Sequence, residues 1–178
     1  MATSTSPPII HPTAVVYPGT DLECGVEIGP GTVIEPGAEI GAEVKIGPHV
    51  HILGRTTIGA GTSIASGCVL GGEPQDRDYG GERTEVRLGA NCRLHEHVTI
   101  HRATGEGNAT ILEDGVTMMA GSHVGDNSIL RQDVSLVKHG EVAGHAEVGA
   151  GAILVAGSAV HQFGKVGRMT MVGGGSMV

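Results

Sequence analysis

Aliphatic side chains recur every six residues through almost the whole chain. Counting in sixes from Ile10 to Val178 meets Ile, Leu, Val or Met at 26 of 29 positions. A period of six matches neither the 3.6-residue repeat of a helix nor the two-residue alternation of a long strand. It is typical of a short strand followed by a corner, so that three units close one triangular coil of about 18 residues. The repeat therefore predicts an all-β solenoid with parallel strands over residues 10–178.

A second position of the repeat, four residues after each aliphatic one, is occupied mostly by small side chains such as Ala14, Thr20 and Thr32. Cys68 and Cys92 occur at this position, and we interpret them as small core residues. The chain has no Trp, two Tyr and one Phe, which fits a prism too narrow for rings. Residues 1–9 lack an apolar segment and are predicted to form a short disordered lead-in.

Two polar stretches interrupt the repeat, at residues 71–87 and 101–111. The three exceptions to the six-residue pattern, Asp76, Glu82 and Glu106, lie in them. We predict loops that leave the coil, because loops on a rigid scaffold often carry binding residues. The density of Asp, Arg and Tyr favours a function for the first loop. For the second, a function and a tolerated insertion remain equally open.

The overall charge limits the partners. A formal net charge of −8 argues against nucleic acid or an anionic membrane as the main partner. The sequence shows neither a secretory nor a transmembrane segment, which predicts a cytoplasmic protein without stable membrane insertion. Five arginines fall within 26 positions and are either solvated surface residues or an anion-binding face: Arg77, Arg83, Arg87, Arg93 and Arg102.

Four short strings add specificity to the repeat. They are Ile10-His11-Pro12-Thr13-Ala14, Gln75-Asp76 with Tyr79, Val98-Thr99-Ile100-His101-Arg102, and Ala159-Val160-His161-Gln162-Phe163. In this order and register they resemble the acyl-carrier-protein–UDP-N-acetylglucosamine O-acyltransferases, the hexapeptide-repeat acyltransferase family that begins lipid A biosynthesis. The resemblance implies a left-handed parallel β-helix, a homotrimer with active sites between subunits, and no cofactor. It also implies acyl carrier protein and a nucleotide sugar as partners, and a helical C-terminal domain that this sequence does not contain.

The same resemblance implies a set of catalytic residues. The position of the family's general-base histidine is occupied by Asp126. His123 and His145 match two further active-site histidines. Gly144 matches the residue whose backbone N–H stabilises the thioester oxyanion.

Further positions are implied to contact the substrates. Asp76 matches a residue that binds the sugar, and His161 and Gln162 match substrate-binding residues. Gly174 matches a glycine that leaves room for a long acyl chain. Asp78 stands where the family often has lysine, so one basic contact is missing.

An aspartate, with a pKa of about 3.9, is a weaker general base near neutral pH than a histidine at about 6.5. Asp126 and His145 are 19 residues apart, one coil plus one residue, and should be neighbours in adjacent coils. One hypothesis is that His145 is the base and that Asp126 orients it. The alternative is an exposed corner aspartate beside a histidine without a role.

Three functions therefore remain open. The first is acyl transfer from acyl carrier protein to UDP-N-acetylglucosamine or a related sugar. The second is a catalytically degenerate or truncated trimeric β-helix scaffold. The third is a metal-dependent hydratase similar to the γ-class carbonic anhydrases, for which the nearby His95, His97 and His101 would be the ligands, although no metal site is predicted.

Overall fold

Each six-residue unit forms one short strand and one corner in the computed structural model, which describes residues 6–178. Strands pair in parallel with the strand one coil further on. Ile28 is paired with Ile46, and Ile46 with Ile64, so one uninterrupted coil contains 18 residues. This confirms the predicted three-sided coil.

The described part of the chain forms 25 strands in three parallel sheets, which we name sheets A, B and C. Sheet A consists of β1 (Ile9–Ile10), β4 (Glu27–Ile28), β7 (Lys45–Ile46), β10 (Ser63–Ile64), β13 (Arg93–Leu94), β16 (Thr117–Met118), β19 (Ser135–Leu136), β22 (Ile153–Leu154) and β25 (Met171–Val172). Sheet B consists of β2 (Val15–Val16), β5 (Val33–Ile34), β8 (His51–Ile52), β11 (Val69–Gly72), β14 (Thr99–His101), β17 (His123–Val124), β20 (Glu141–Val142) and β23 (Ala159–Val160). Sheet C consists of β3 (Asp21–Leu22), β6 (Glu39–Ile40), β9 (Thr56–Ile58), β12 (Glu85–Leu88), β15 (Ala109–Leu112), β18 (Ile129–Leu130), β21 (Glu147–Val148) and β24 (Lys165–Val166).

The core is the axis of the prism, where the aliphatic residues of the three sheets meet. Ile52, Leu112 and Leu136 are among its fully buried members, and each such side chain contributes about 1.5–3 kcal/mol of transfer free energy. Cys68 and Cys92 are buried in the same core, as the repeat predicts. Burial raises the pKa of the Cys68 thiol to about 11, so the thiol stays protonated and unreactive.

Both interruptions leave the helix at the same corner. The first connects β11 in sheet B to β12 in sheet C through residues 73–84, and the second connects β14 to β15 through residues 102–108. At the opposite end, β1 begins at Ile9, and the Ser6 carbonyl accepts a hydrogen bond from the Gly25 N–H at 2.7 Å. Residues 1–5 of the predicted lead-in lie outside the described residues. Across residues 6–178 we find no helix with the length and apolar character needed to cross a membrane.

Candidate active site

One corner of the prism, between sheets B and C, carries most of the residues singled out by the sequence. Going along the axis, successive coils place there the loop of residues 73–84, the loop of residues 102–108, Asp126, His145 and Phe163. A cleft of about 420 Å³ opens at this corner. Its lining residues are Gln75, Asp76, Arg77, Asp78, Asp126, His145, Gln162 and Phe163.

Asp126 and His145 meet across adjacent coils. The backbone N–H of His145 donates to the Asp126 carbonyl at 2.7 Å, and the imidazole Nε2 lies 3.5 Å from the carboxylate Oδ2. This Oδ2 is buried and has no hydrogen-bond partner within residues 6–178. The Nε2–Oδ2 distance is consistent with this missing hydrogen bond, because 3.5 Å allows electrostatic attraction but is long for a hydrogen bond. Hydrogen bonds of catalytic groups are often long before substrate binds.

Asp126 is 7% exposed, so the interpretation as an exposed corner aspartate is wrong. A buried carboxylate is expensive unless a positive or hydrogen-bonding group faces it. The group facing it is the His145 imidazole, whose side chain is 34% exposed and reaches the cleft. The pair is therefore buried on the carboxylate side and open on the imidazole side.

Phe163 is a site residue to which sequence reasoning gave no role of its own. Its ring is stacked on the His145 imidazole, with centroids 4.8 Å apart and an interplanar angle of 22°. The ring is 67% exposed although it is the one Phe in the chain. The sequence could have predicted this contact, because Phe163 follows His145 by 18 residues, which is one coil.

The backbone N–H of Gly144 has no acceptor among the residues that the structure describes. Its position, two residues after the aliphatic one, also accommodates five prolines, which have no N–H to donate: Pro12, Pro18, Pro30, Pro36 and Pro48. At equivalent positions the N–H groups of Ala42, Ala90 and Gln132 donate to carboxylate oxygens at 2.9, 2.7 and 2.9 Å. The corner thus offers an N–H suited to an anionic oxygen.

His123 and His101 lie beside this corner on sheet B. Their rings meet edge to face at 4.7 Å, and the Nδ1 of His123 is 2.8 Å from the Thr99 hydroxyl. Burial lowers the pKa of His123, against the opposing effects of Thr99 and the Asp126 charge. The pKa of His101 is lowered by burial and then by the neighbouring His123. Both imidazoles are therefore held toward the neutral form near neutral pH.

The three histidines of the hydratase alternative do not form a metal site. His95 and His97 lie in the corner between β13 and β14, whereas His101 is in β14 and contacts His123. Within residues 6–178 no three His, Cys, Asp or Glu side chains are placed to hold a metal ion. A corner therefore separates His95 and His97 from His101, although the three are close in sequence.

Arg102 fastens the first loop to the coil. Its guanidinium lies 5.7 Å from the centre of the Tyr79 ring and 3.0 Å from the Glu73 carboxylate. The Nε atom is buried and unpaired among the described residues. Arg87 instead pairs with Glu85 on sheet C, and Arg93 lies in sheet A, so the five arginines do not share one face.

The remaining predicted residues lie elsewhere. His161 lines a second cleft of about 230 Å³, together with His123 and Glu141. Gly174 follows β25 in sheet A, which places it at a different corner from Gly144 and outside the linings of both clefts. The structure thus brings together Asp76, Asp126, Gly144, His145 and Gln162, and it leaves Gly174 apart.

Comparison with known proteins identifies the same architecture. Residues 37–72 match the family model described as bacterial transferase hexapeptide (six repeats). The acyl-[acyl-carrier-protein]–UDP-N-acetylglucosamine O-acyltransferase of Synechocystis sp. is 43% identical over 175 residues, covering 98% of this chain and 63% of the relative. The enzyme of the same name from Rhizobium johnstonii is 40% identical over 179 residues, covering 100% of this chain and 66% of the relative.

A solved structure supports the sequence match. LpxA from Acinetobacter baumannii superposes with a TM-score of 0.93 at 33% identity, over 96% of this chain and 66% of that one. The coil is therefore left-handed, as in that fold, because a coil of opposite hand would not superpose. The chain spans 63 to 66% of the length of these three proteins. The chain belongs to the hexapeptide-repeat family of acyl-[acyl-carrier-protein]–UDP-N-acetylglucosamine O-acyltransferases.

Proposed function

We propose that this protein transfers an acyl chain from the thioester of acyl carrier protein to a hydroxyl of UDP-N-acetylglucosamine. The observation that carries the proposal is the Asp126–His145 pair, which opens into the 420 Å³ cleft beside the unpaired Gly144 N–H. A base, an oxyanion donor and a substrate pocket are what acyl transfer to a hydroxyl needs. The names of the relatives supply the two substrates.

In the reaction that we propose, His145 accepts the proton of the sugar hydroxyl while the hydroxyl oxygen attacks the thioester carbonyl carbon. The new C–O bond produces a tetrahedral oxyanion, which accepts a hydrogen bond from the Gly144 N–H. When the intermediate collapses, the C–S bond breaks and the thiolate takes the proton from the imidazolium. Asp126 stabilises that imidazolium, since its buried carboxylate lies 3.5 Å from Nε2.

The cleft residues suggest how the acceptor is bound. Asp76 and Gln162 line the cleft from opposite sides of the pair and are assigned to the sugar nucleotide. His123 and His161 share the second cleft and extend this binding surface. Gly174, at its separate corner, is assigned to the acyl chain. A homotrimer, with the cleft completed by a neighbouring subunit, and a cytoplasmic location belong to the same proposal.

The second candidate is a non-catalytic scaffold. The specific observation in its favour is that Asp126 replaces the histidine expected at the base position. The Asp126 carboxylate is nevertheless buried and faces the His145 imidazole at 3.5 Å. This pair opens into the cleft, which favours catalysis over the scaffold.

The test is incubation of the 178-residue chain with 3-hydroxyacyl carrier protein and UDP-N-acetylglucosamine, followed by mass spectrometry of the nucleotide. We expect acylated sugar nucleotide from the wild type and its loss in His145→Ala. Asp126→His serves as a matched control that restores the family's expected base. If neither the wild type nor Asp126→His forms product, the scaffold is the better description. If the wild type is active and His145→Ala remains fully active, His145 is not the base.

A further inference from the structure

Corner residues of this helix follow a packing rule. From Val16 onward, except where the two loops leave the coil, the third residue after each aliphatic position has a positive φ. Where this residue is not glycine, its side chain usually lies over a glycine one coil earlier. At His139, for example, the imidazole Cε1 lies 2.6 Å from where a Cβ on Gly121 would be. Seven pairs in the described chain follow this rule: Glu43 over Gly25, His49 over Gly31, Asn91 over Gly61, His97 over Gly67, Asp133 over Gly115, His139 over Gly121, and Met169 over Gly151.

His145 departs from the rule. It has the same backbone conformation, with φ 59°, but the equivalent residue one coil earlier is Asn127, at φ 56°. The Cβ of Asn127 occupies the space that glycine leaves open beneath the other three corner histidines. The His145 imidazole lies instead against the Asp126 carboxylate and the Phe163 ring.

Asn127 is itself held firmly. Its Oδ1 accepts hydrogen bonds from the Thr104 N–H at 2.8 Å and the Thr104 hydroxyl at 2.9 Å. Its Nδ2 donates to the Thr104 carbonyl at 3.0 Å, and its backbone N–H donates to the Thr110 hydroxyl at 2.9 Å. The loop of residues 102–108, for which the sequence left a role open, therefore fixes the residue beneath His145.

We propose that Asn127 is a positioning residue that directs the His145 imidazole into the cleft by denying it the packing site over the preceding coil. In this proposal the Cβ of Asn127 blocks the packing site, and the hydrogen bonds to Thr104 tie the same residue to the second loop. The orientation of His145 can be tested without any substrate. Its catalytic consequence rests on the proposed acyl transfer.

The direct test is Asn127→Gly, which makes this corner like the other three histidine corners. Glycine adopts a positive φ without steric cost, so the variant is expected to fold. Because Phe163 is the one Phe in the chain, its ring signals are unambiguous in a ¹³C-edited NOESY spectrum. We expect the NOE between the His145 and Phe163 rings in the wild type and its loss in Asn127→Gly. A retained NOE in Asn127→Gly would overturn the proposal.

Two control variants separate the Cβ from the amide. Asn127→Ala keeps the Cβ but loses the hydrogen bonds to Thr104, and we expect it to keep the NOE. Gly121→Asn applies the reverse change at another corner, where asparagine tolerates a positive φ. We expect it to expel the His139 imidazole, seen as a changed set of NOEs from that ring. An unmoved His139 would refute the packing rule itself.

The kinetic test uses the acyl-transfer assay. A displacement of the base by about 1 Å can cost on the order of 10²-fold in rate, so Asn127→Gly should lower kcat by about 10- to 100-fold. The KM for the sugar nucleotide should change by about twofold or less. The residual rate of His145→Ala, measured at high enzyme concentration, should not fall further when Asn127→Gly is added, whereas an equal further loss would show that Asn127 acts independently. If the wild type has no activity, acyl transfer fails as a function while the NOE experiment still decides the orientation.

Discussion

Gly144→Ala is the most informative single substitution at the candidate site. A Cβ on Gly144 would lie 2.7 Å from the Asp126 Oδ1 and 3.1 Å from its Cγ. Gly144 is not among the positive-φ glycines, so alanine causes no backbone strain there. The three atoms nearest to such a Cβ all belong to the Asp126 carboxylate.

The size of the effect follows from the geometry. Ordinary contact with a Cβ begins at 3.4 Å, so the carboxylate must move by roughly 0.7 Å. The cleft lined by Asp126 and His145 gives it room to do so, and we expect a loss of about 1 kcal/mol or less in the free energy of unfolding. A displacement of this size in the pair should lower kcat by about 10- to 100-fold.

The assay compares kcat for acyl transfer with the midpoint of urea unfolding for the same protein preparations. Gly173→Ala is the matched control, since its Cβ meets only the Ser176 hydroxyl at an ordinary 3.5 Å and should leave both values unchanged. A Gly144→Ala variant with kcat within about twofold of wild type would show that the carboxylate position does not matter for catalysis. A large drop in stability together with kcat would show a structural role instead.

Three further changes test the fold and the surroundings of the site. Leu136→Ala, in the fully buried core, should lower the free energy of unfolding by about 2–5 kcal/mol. Its control Ile10→Ala, at a position 44% exposed, should lower it by about 1 kcal/mol or less. Equal losses in urea titrations would contradict the core assignment. Because burial lowers the pKa of His123, its contribution to stability is complete above the ordinary value of 6.5 and is lost as the pH falls below it. Unfolding free energies at pH 8 and pH 5.5 should therefore differ less in His123→Gln than in wild type, and an unchanged difference would argue against this. Arg102→Ala removes the contacts that hold the loop of residues 73–84 against the coil. Limited proteolysis should therefore cleave that loop faster, and the KM for the sugar nucleotide should rise. An unchanged cleavage rate would show that other contacts hold the loop.

The sequence by itself determined the architecture of this protein. Pairing in a solenoid joins residues one coil apart, so the core depends only on which residue types recur, and the recurrence from Ile10 to Val178 is nearly unbroken. The same count placed Asp126 next to His145, and the structure shows their contact. The two loops were also predicted by the sequence, because residues that leave the coil interrupt the six-residue recurrence.

Only the tertiary structure decided how the side chains at the corner are oriented. A count of residues places backbones side by side, but the direction of a side chain depends on the atoms above and below it. The stack of Phe163 on His145, the hold of Thr104 on Asn127 and the edge contact of His101 with His123 all depend on such atoms. The histidine metal site of the hydratase alternative does not form among residues 6–178, because a corner separates His95 and His97 from His101. Asp126 lies at a corner but is buried, which a count of residues does not show.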